Sequence, residues 1–598
     1  MARRIEDYAL LGDCRGAALV GNDASIDWLC LPRFDSDACF AALLGTEENG
    51  FWKIAPLAPI TSTRRSYRSG TMCIDTELSC EEGTVTITDF MPVRDDGPGV
   101  IRIVTGKSGA VRVHSELALR FNFGKTIPWV QRVDGEVLQA IAGPDLLRIW
   151  TPATLHGENL RTHADFVVRP GEHVPFVMRW GPSYARESPP RIDAHEALAR
   201  CEECWLRWGS RLEIGGPYAE SIRRSIMTLK ALTFAPTGGV VAAPTTSLPE
   251  KIGGVRNWDY RFCWVRDATM TLYSLISAGY LDEAHEFRDW LLRACAGAPE
   301  QLQILYGIAG ERRLTEEELT WLPGYEGSSP VRAGNAAADQ LQLDVYGELA
   351  DTLYLSHSTG LNHTDEGWAL QRSLLRHLEN AWRQPDHGIW EVRGPRRHFV
   401  HSKVMCWVAF DRGVKSIEKW GLDGPVERWR AVRGEIHAEV CDRGVDNAHG
   451  GFAQYYGSTE PDASLLLLPE VGFLPPEDPR IVRTVLNIEK RLMTGGFVQR
   501  YITHPGVDGM PEGEGAFLAC SFWYVDALVL LGRYEEARAH FERLLGLTND
   551  VGLLAEEYDS TSKRMLGNFP QALSHVALVN SALNLSRLRG PAHLRCSL

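Results

Sequence analysis

Hydrophobic and polar positions follow two different periods along this chain, and the change comes close to residue 190. Up to about Trp180, short apolar runs of period two are separated by Gly, Asn or Asp turns, the pattern of half-buried strands. "AALVGNDASIDWLCLP" places a turn between two apolar runs, and "CIDTELSCEEGTVTITDFMPV" alternates on either side of a Glu–Gly turn. "GVIRIVTGKSGAVRVHSELAL" and "HADFVVRPGEHVPFVMRWG" repeat the design, so all four stretches read as strand pairs joined by turns. Short strands in this number predict an antiparallel β-sandwich over residues 1–188.

Pro189–Pro190 interrupts the pattern, and "DAHEALARCEECWLRWGSRL" then reads as a helix within a linker, 189–214. From 215 to 598 the apolar spacing is helical, in segments of two kinds. "LACSFWYVDALVLL" is apolar all round, whereas "RYEEARAHFERLL" has one apolar stripe. The unequal spacing of these segments argues against a regular solenoid. A closed ring of paired helices over 215–598, apolar ones inside and amphipathic ones outside, accounts for both kinds.

Length and charge narrow the partners. A chain of 598 residues suits two or more domains, and its 44% hydrophobic and 23% charged content is that of a soluble protein. A net charge of −14, with both signs mixed throughout, disfavours nucleic acid and is neutral towards an uncharged substrate. No apolar run approaches the ~18 residues that span a bilayer, and the first residues carry acids where a signal peptide needs an apolar core. The thirteen cysteines have no framework spacing, which suits thiols in a reducing compartment and a cytoplasmic protein. Cys201 and Cys204 in "CEEC" lack a second Cys/His pair, so no metal is expected. Assembly into a homo-oligomer is compatible with the sequence.

Three loops carry the candidate chemistry. The first contains "NWDYRFCWVRDA" (Asn257 to Ala268), in which an Arg266–Asp267 pair closes an aromatic run just before a helix. The second is "QPDHGIWEVRGPRRHF" with Glu391, and the third is "NDVGLLAEEYDSTSKRMLGNFPQALSH" with Glu556 and Glu557. Two carboxylates on separate loops at one mouth suit glycoside hydrolysis, which needs an acid for the departing oxygen and a base for water. Aromatic neighbours stack on sugar faces and raise the acid's pKa by lowering the local dielectric. Trp258, Trp264, Trp390 and Trp523 are the aromatic candidates, with Asp259 and Tyr260 beside them. A guanidinium next to a carboxylate neutralises the burial of both while offering fixed donors and acceptors to a polyhydroxyl ring. Asp344 and Glu348, four apart, share a helix face and read as lining or supporting residues. Glu512, Glu514, Arg500, Tyr501, Asn568 and Gln571 rank lower, His575 reads as a core histidine, and "RFDS" (Arg33 to Ser36) as a sandwich loop reaching the barrel mouth or, more simply, a turn within the sandwich.

These loops, with "IEDYALLGDCRGAALVGNDASIDWLCLPRFDS" near the start and "EGAFLACSFW" between the second and third, occur in the order found in glycoside hydrolase family 15. The chain resembles that family, the glucoamylase-like enzymes, and within it the bacterial trehalase-like branch. The resemblance implies a β-sandwich followed by an (α/α)6 barrel and cofactor-free hydrolysis of α-glucosides with inversion. It implies that Arg266 and Asp267 grip the sugar being cleaved, that Glu391 is the general acid, and that Glu556 is the general base. Glu557 ranks second for that last role. The expected activity is exo-acting release of β-glucose, with trehalose as first substrate and malto- or isomalto-oligosaccharides as the alternative. An inverting disaccharide phosphorylase and a non-catalytic glucan-binding protein are the rival classes. The first would lack the base, and the second would have no use for either carboxylate.

Overall fold

The period-two stretches fold as strands. The computed structural model describes residues 2–93, 97–133, 137–212, 214–360, 364–586 and 590–597, and among these two eight-stranded antiparallel sheets pack face to face. One sheet holds strands Tyr8–Gly12, Ala17–Gly21, Ser25–Cys30, Ala38–Phe40, Phe51–Pro56, Val111–Ala118, His156–Glu158 and Arg161–Val168. The other holds Ile60–Tyr67, Ile74–Cys80, Gly83–Phe90, Gly99–Gly109, Trp129–Val133, Val137–Ala142, Asp145–Trp150 and His173–Pro182.

The hairpin Ile74–Cys80/Gly83–Phe90 is in register from Ile74↔Asp89 to Cys80↔Gly83 and reverses at Glu81–Glu82. Gly83 has φ of +139°, and a Cβ there would stand 2.0 Å from the Ser108 carbonyl, so the turn admits only glycine. Two other expected pairings do not form. Gly99–Gly109 and Val111–Ala118 are consecutive in the chain yet belong to opposite sheets, and so do Arg161–Val168 and His173–Pro182. In both places the chain crosses the sandwich instead of turning back. The inward residues of the two sheets have the same alternation, so local pattern does not choose the partner strand.

Arg102 crosses the sandwich core. Its Nε donates to Asp89 Oδ1 at 2.7 Å, and the guanidinium reaches the Trp52 and Ala24 carbonyls of the opposite sheet at 2.6 Å each. Both charged side chains are fully buried.

The linking helix, Ala194–Gly209, starts at Asp193, whose side chain accepts from the backbone N–H groups of His195 and Glu196. Beyond it the helices close a ring. Inner elements Ala268–Ser277, Asp344–Ser358, Val400–Trp420, Ala463–Leu467, Leu518–Leu530 and Ala572–Ser586 each contact the next, and the last contacts the first. Each has an outer partner: Leu281–Cys295, Asp365–Ala381, Val426–Arg443, Pro479–Arg491, Tyr534–Leu545 and Ala219–Ala231 respectively. Inner helix Leu518–Leu530 is buried over nearly its whole length, while outer helix Tyr534–Leu545 buries only Ala537, Phe541 and Leu544, one stripe. The fourth inner element is a five-residue 3-10 turn, too short to register as a helical period. Gly347 lets the second and third inner helices touch, since a Cβ there would lie 2.2 Å from the Met405 carbonyl. No helix among the described residues is long and apolar enough to cross a membrane.

The sandwich is seated against the barrel by polar contacts. Trp28 Nε1 donates to the Pro244 carbonyl at 2.9 Å, Arg65 pairs with Asp550 at 2.6 Å, and Arg33 of "RFDS" pairs with Glu311 at 2.7 Å. That loop therefore reaches the barrel and is not confined to the sandwich.

Replacing Arg102 by Met leaves Asp89 buried without its counter-charge, which costs about 3–5 kcal/mol. A markedly lowered Tm for R102M, with part of the loss returned by adding Asp89→Leu, is the expected result in thermal unfolding.

Candidate active site

Side chains of the segment Asn257 to Ala268 sort by parity. Trp258, Tyr260 and Arg266 line a cleft over the ring, while Trp264 Nε1 donates to Glu391 Oε1 at 2.6 Å. Asp259 and Arg261 face the sandwich instead. Arg261 binds both Asp259 oxygens at 2.9 and 2.7 Å, donates to the Ser36 carbonyl at 2.8 Å, and lies 5.0 Å from the Phe123 ring. Successive residues of an extended chain point to opposite sides, which explains the split. Asp259 thus lies outside the cleft lining, in an ion pair that anchors this loop to the sandwich.

Every stretch that lines the cleft precedes or opens an inner element: Glu250 to Arg266, Asn335 and Ala337, Ile389 to Arg393, Arg500 to Phe517, and Leu573. The loops at one end of the ring therefore converge on it.

Glu391 lines the cleft with its backbone in the left-handed region, at φ of +57°. That conformation is costly for a residue with a Cβ and is kept only where neighbours enforce it. Arg266 supplies much of the enforcement. Its guanidinium donates to the Ile389 carbonyl and to Glu391 Oε1, the latter at 3.3 Å, and its Nε donates to Asp267 Oδ1 at 3.1 Å. Gln340 Nε2 adds a bond to the Glu391 carbonyl at 3.1 Å. Both side-chain donors fall on Oε1. Burial raises the Asp267 pKa and the Arg266 charge opposes the rise, so the pair stays together at the head of the inner helix.

Glu556 lies behind the lining, fully buried. Its Oε2 accepts from the Asn568 N–H at 2.9 Å, and its Oε1 makes no hydrogen bond within the protein. Burial, and then the charge of Glu250, push its carboxyl up to about 8, with the Tyr260 phenol, the Asn568 N–H and Arg500 opposing. Gly567 makes the room, since a Cβ there would meet Glu556 Oε2 at 2.4 Å. His575 fixes the approach to Glu556: its Nε2 accepts from the Leu554 N–H at 3.2 Å and its Nδ1 meets Ser225 Oγ at 3.0 Å. Burial drives this imidazole down to about 3, so it stays neutral as a core histidine. Tyr260 joins the two carboxylates. It lines the cleft, and the charges of Glu556 and Glu391 both act on its phenol.

Glu557 turns away from the cleft into an acidic group with Glu250 and Glu514, whose oxygens lie within 4.8 Å of one another. Arg500 occupies the charge-balancing position, 2.7 Å from Glu250 and from Glu514 and 3.5 Å from Glu557. Arg256 joins it, 3.4 Å from Glu514 and 2.6 Å from Asp508. An oxygen trio would suit a hard cation, but here a guanidinium supplies the positive charge.

Trp390 lines the cleft and donates from Nε1 to the two Asp462 oxygens at 2.9 and 3.0 Å. Trp523 stands behind it, stacked at 5.9 Å between ring centroids, and does not reach the lining. Asp344 and Glu348 are buried below: Glu348 pairs with Arg595 at 3.3 Å, and burial beside Asp386 holds Asp344 up to about 7. Asn568 serves through its backbone and through Nδ2, which donates to the Trp258 carbonyl at 3.0 Å.

Of the side chains singled out from sequence, Trp258, Tyr260, Arg266, Trp390 and Glu391, with the lower-ranked Arg500 and Tyr501, line the cleft, and Trp264, Asp267, Glu556 and Trp523 support them from behind. Sequence reasoning passed over Glu250, Arg256, Arg393 and Asp508, all of which line it. Each is a charged residue among Gly and Pro, a setting that reads as a solvated loop. Only parity with Trp258 and with Glu391 could have drawn out Arg256 and Arg393.

Comparison with known proteins fits this arrangement. Residues 216–583 match the model of glycosyl hydrolases family 15, and residues 1–205 match a trehalase-like N-terminal domain. A trehalase of Mycobacterium tuberculosis is 36% identical over 98% of this chain and 90% of its own length. A trehalase of Thermoplasma volcanium is 34% identical over 97% of this chain and 93% of its own. A bacterial glucoamylase solved with acarbose superposes with a TM-score of 0.70 at 12% identity, over 98% of this chain and 94% of that one, and so shares the fold. A sandwich followed by a ring of six helix pairs, with the matches running through both, places the chain in glycosyl hydrolases family 15.

Proposed function

We propose that the protein is an inverting trehalase, in which Glu391 protonates the oxygen between the two glucose rings and Glu556 activates the attacking water. The observation that carries this reading is Glu391, a carboxylate in the cleft lining held by Trp264 and Arg266, which donate to its Oε1 at 2.6 and 3.3 Å. Relatives matched over nearly the whole chain, at 34–36% identity, are trehalases, which favours trehalose over other α-glucosides.

The chemistry follows from the contacts. Trp264 and Arg266 both donate to Glu391 Oε1, which leaves Oε2 to carry the proton delivered to the departing oxygen. Glu556 Oε2 is taken by the Asn568 N–H, so Oε1 is the oxygen left to meet water on the far face of the ring. Arg266 and Asp267 present donors and acceptors to the hydroxyls of the first ring, and the indole of Trp390 offers an apolar face. Protonation and water attack occur on opposite faces, so the sugar that is attacked leaves as β-glucose and its partner as α-glucose. No cofactor enters this sequence of proton transfers.

Glu391→Gln and Glu556→Gln should each lower kcat about 10²–10⁴-fold with the fold retained, because each removes one general acid–base group. NMR of fresh trehalose digests should show the α and β anomers of glucose appearing in equal amounts. Exclusive α-glucose, or near-wild-type rates in both variants, would sink the assignment.

The pH dependence has a definite sign. A base must be ionised, and a carboxyl held at about 8 is largely protonated at neutral pH. Therefore kcat/KM should climb with pH towards about 8. Glu250→Gln removes a negative charge that favours the protonated form, so this ascending limb should move to lower pH. A limb that stays in place in the E250Q profile would show that Glu250 does not act on the base.

A further inference from the structure

At the mouth of the cleft, Trp258 is held between fixed cations. The guanidinium carbons of Arg393 and Arg332 each lie 4.7 Å from its ring centroid. One carboxylate ties the two together: Glu316 Oε2 is 3.0 Å from Arg393 and Glu316 Oε1 is 3.4 Å from Arg332. Two like charges packed on one indole repel, and the shared carboxylate relieves that repulsion while the ring's quadrupole attracts both. Arg332 is further pinned by the Val255 and Asn257 carbonyls, at 3.2 and 2.9 Å.

Arg393 is pinned from behind. Its backbone N–H donates to the Asp508 carbonyl at 2.9 Å, and the next residue, Gly394, has no space for a Cβ, which would stand 2.2 Å from the Val507 carbonyl. The side chain lines the cleft and is 31% exposed, so it faces the opening. Arg393 also follows Glu391 by two residues, a reach of at most about 7 Å along the chain, close to the width of one pyranose ring. Trp258, Glu391 and Arg393 line the same cleft.

We propose that Arg393, held on Trp258 by Glu316 and Arg332, is the outer wall of the leaving-sugar subsite and restricts the cleft to two-ring α-glucosides. This rests on the reading of Glu391 as the acid. Arg393 contacts the leaving ring directly, whereas Glu316 touches no sugar and acts as a positioning residue for it.

The test compares kcat/KM on trehalose, maltose, maltotriose and α-glucosyl fluoride for wild type, Arg393→Ala and Glu316→Gln. The fluoride carries a single ring and bypasses the wall. For R393A, the trehalose KM should rise about tenfold with a much smaller change in kcat, the loss of one charge-assisted contact. The ratio of trehalose to maltotriose efficiency should fall at least as far, and the fluoride should respond far less than trehalose. E316Q should move the same ratio in the same direction by a smaller factor. An unchanged ratio in R393A, or an equal loss on all substrates, would overturn the wall. Should wild type split maltose and leave trehalose intact, the substrate reading above falls, and the wall is judged on maltose against maltotriose by the same ratio.

Discussion

The Arg266 guanidinium is the contact on which the rest of the site depends. It joins Asp267 at the head of one inner helix to Glu391 and the Ile389 carbonyl on the loop before another. Without it, a non-glycine residue at φ of +57° would relax to an ordinary conformation and take its carboxylate away from Trp264. Burial makes the contact strong, because a charge removed from water persists only with partners, and here the partners are the residues that must be placed. One guanidinium therefore sets the positions of the Glu391 and Asp267 carboxylates together.

The other side of the cleft follows an opposite logic, an excess of acid. Glu250, Glu514, Glu556, Glu557 and Asp508 crowd around Arg256 and Arg500. Two cations do not neutralise five carboxyls, so some of the group must hold protons, and Glu556 is among those pushed up. On the Arg266 side a single guanidinium faces Asp267 and Glu391 directly. Two carboxylates of the same residue type thus sit in different electrostatic settings, Glu391 beside a guanidinium and Glu556 in an acid-rich group.

Much of this was legible in the chain. The change of period near Pro189–Pro190 separates the strand and helix regions, and the contrast between "LACSFWYVDALVLL" and "RYEEARAHFERLL" corresponds to an inner and an outer helix. The illegible parts were those fixed by tertiary choice. Nothing local distinguishes a hairpin from a crossover at Ala110, because both keep the alternation of buried residues. The fourth inner element at Ala463–Leu467 is a single tight turn and has no period to detect. Asp259 was placed at the sugar on the strength of its neighbours, yet the alternation of an extended segment sends it to the opposite side from Trp258 and Tyr260.

That alternation also gives the sandwich a role at the site. Trp258, Tyr260, Trp264 and Arg266 reach the cleft or Glu391, while Asp259 and Arg261 lock the same segment to Ser36 and Phe123 from behind. Trp28, another sandwich residue, holds the Pro244 carbonyl a few residues upstream. A loop of aromatic and charged side chains left to itself would have many conformations, and ordering it costs about 1–2 kcal/mol per residue in backbone entropy alone. Barrel loops elsewhere in the cleft brace one another, as Arg393 and Gly394 do with the turn at Val507 to Gly509. The first loop has the sandwich as its second support. The N-terminal domain therefore bears on the cleft through the contacts of Ser36 with Arg261 and of Trp28 with Pro244, which limit where Tyr260, Trp264 and Arg266 can go.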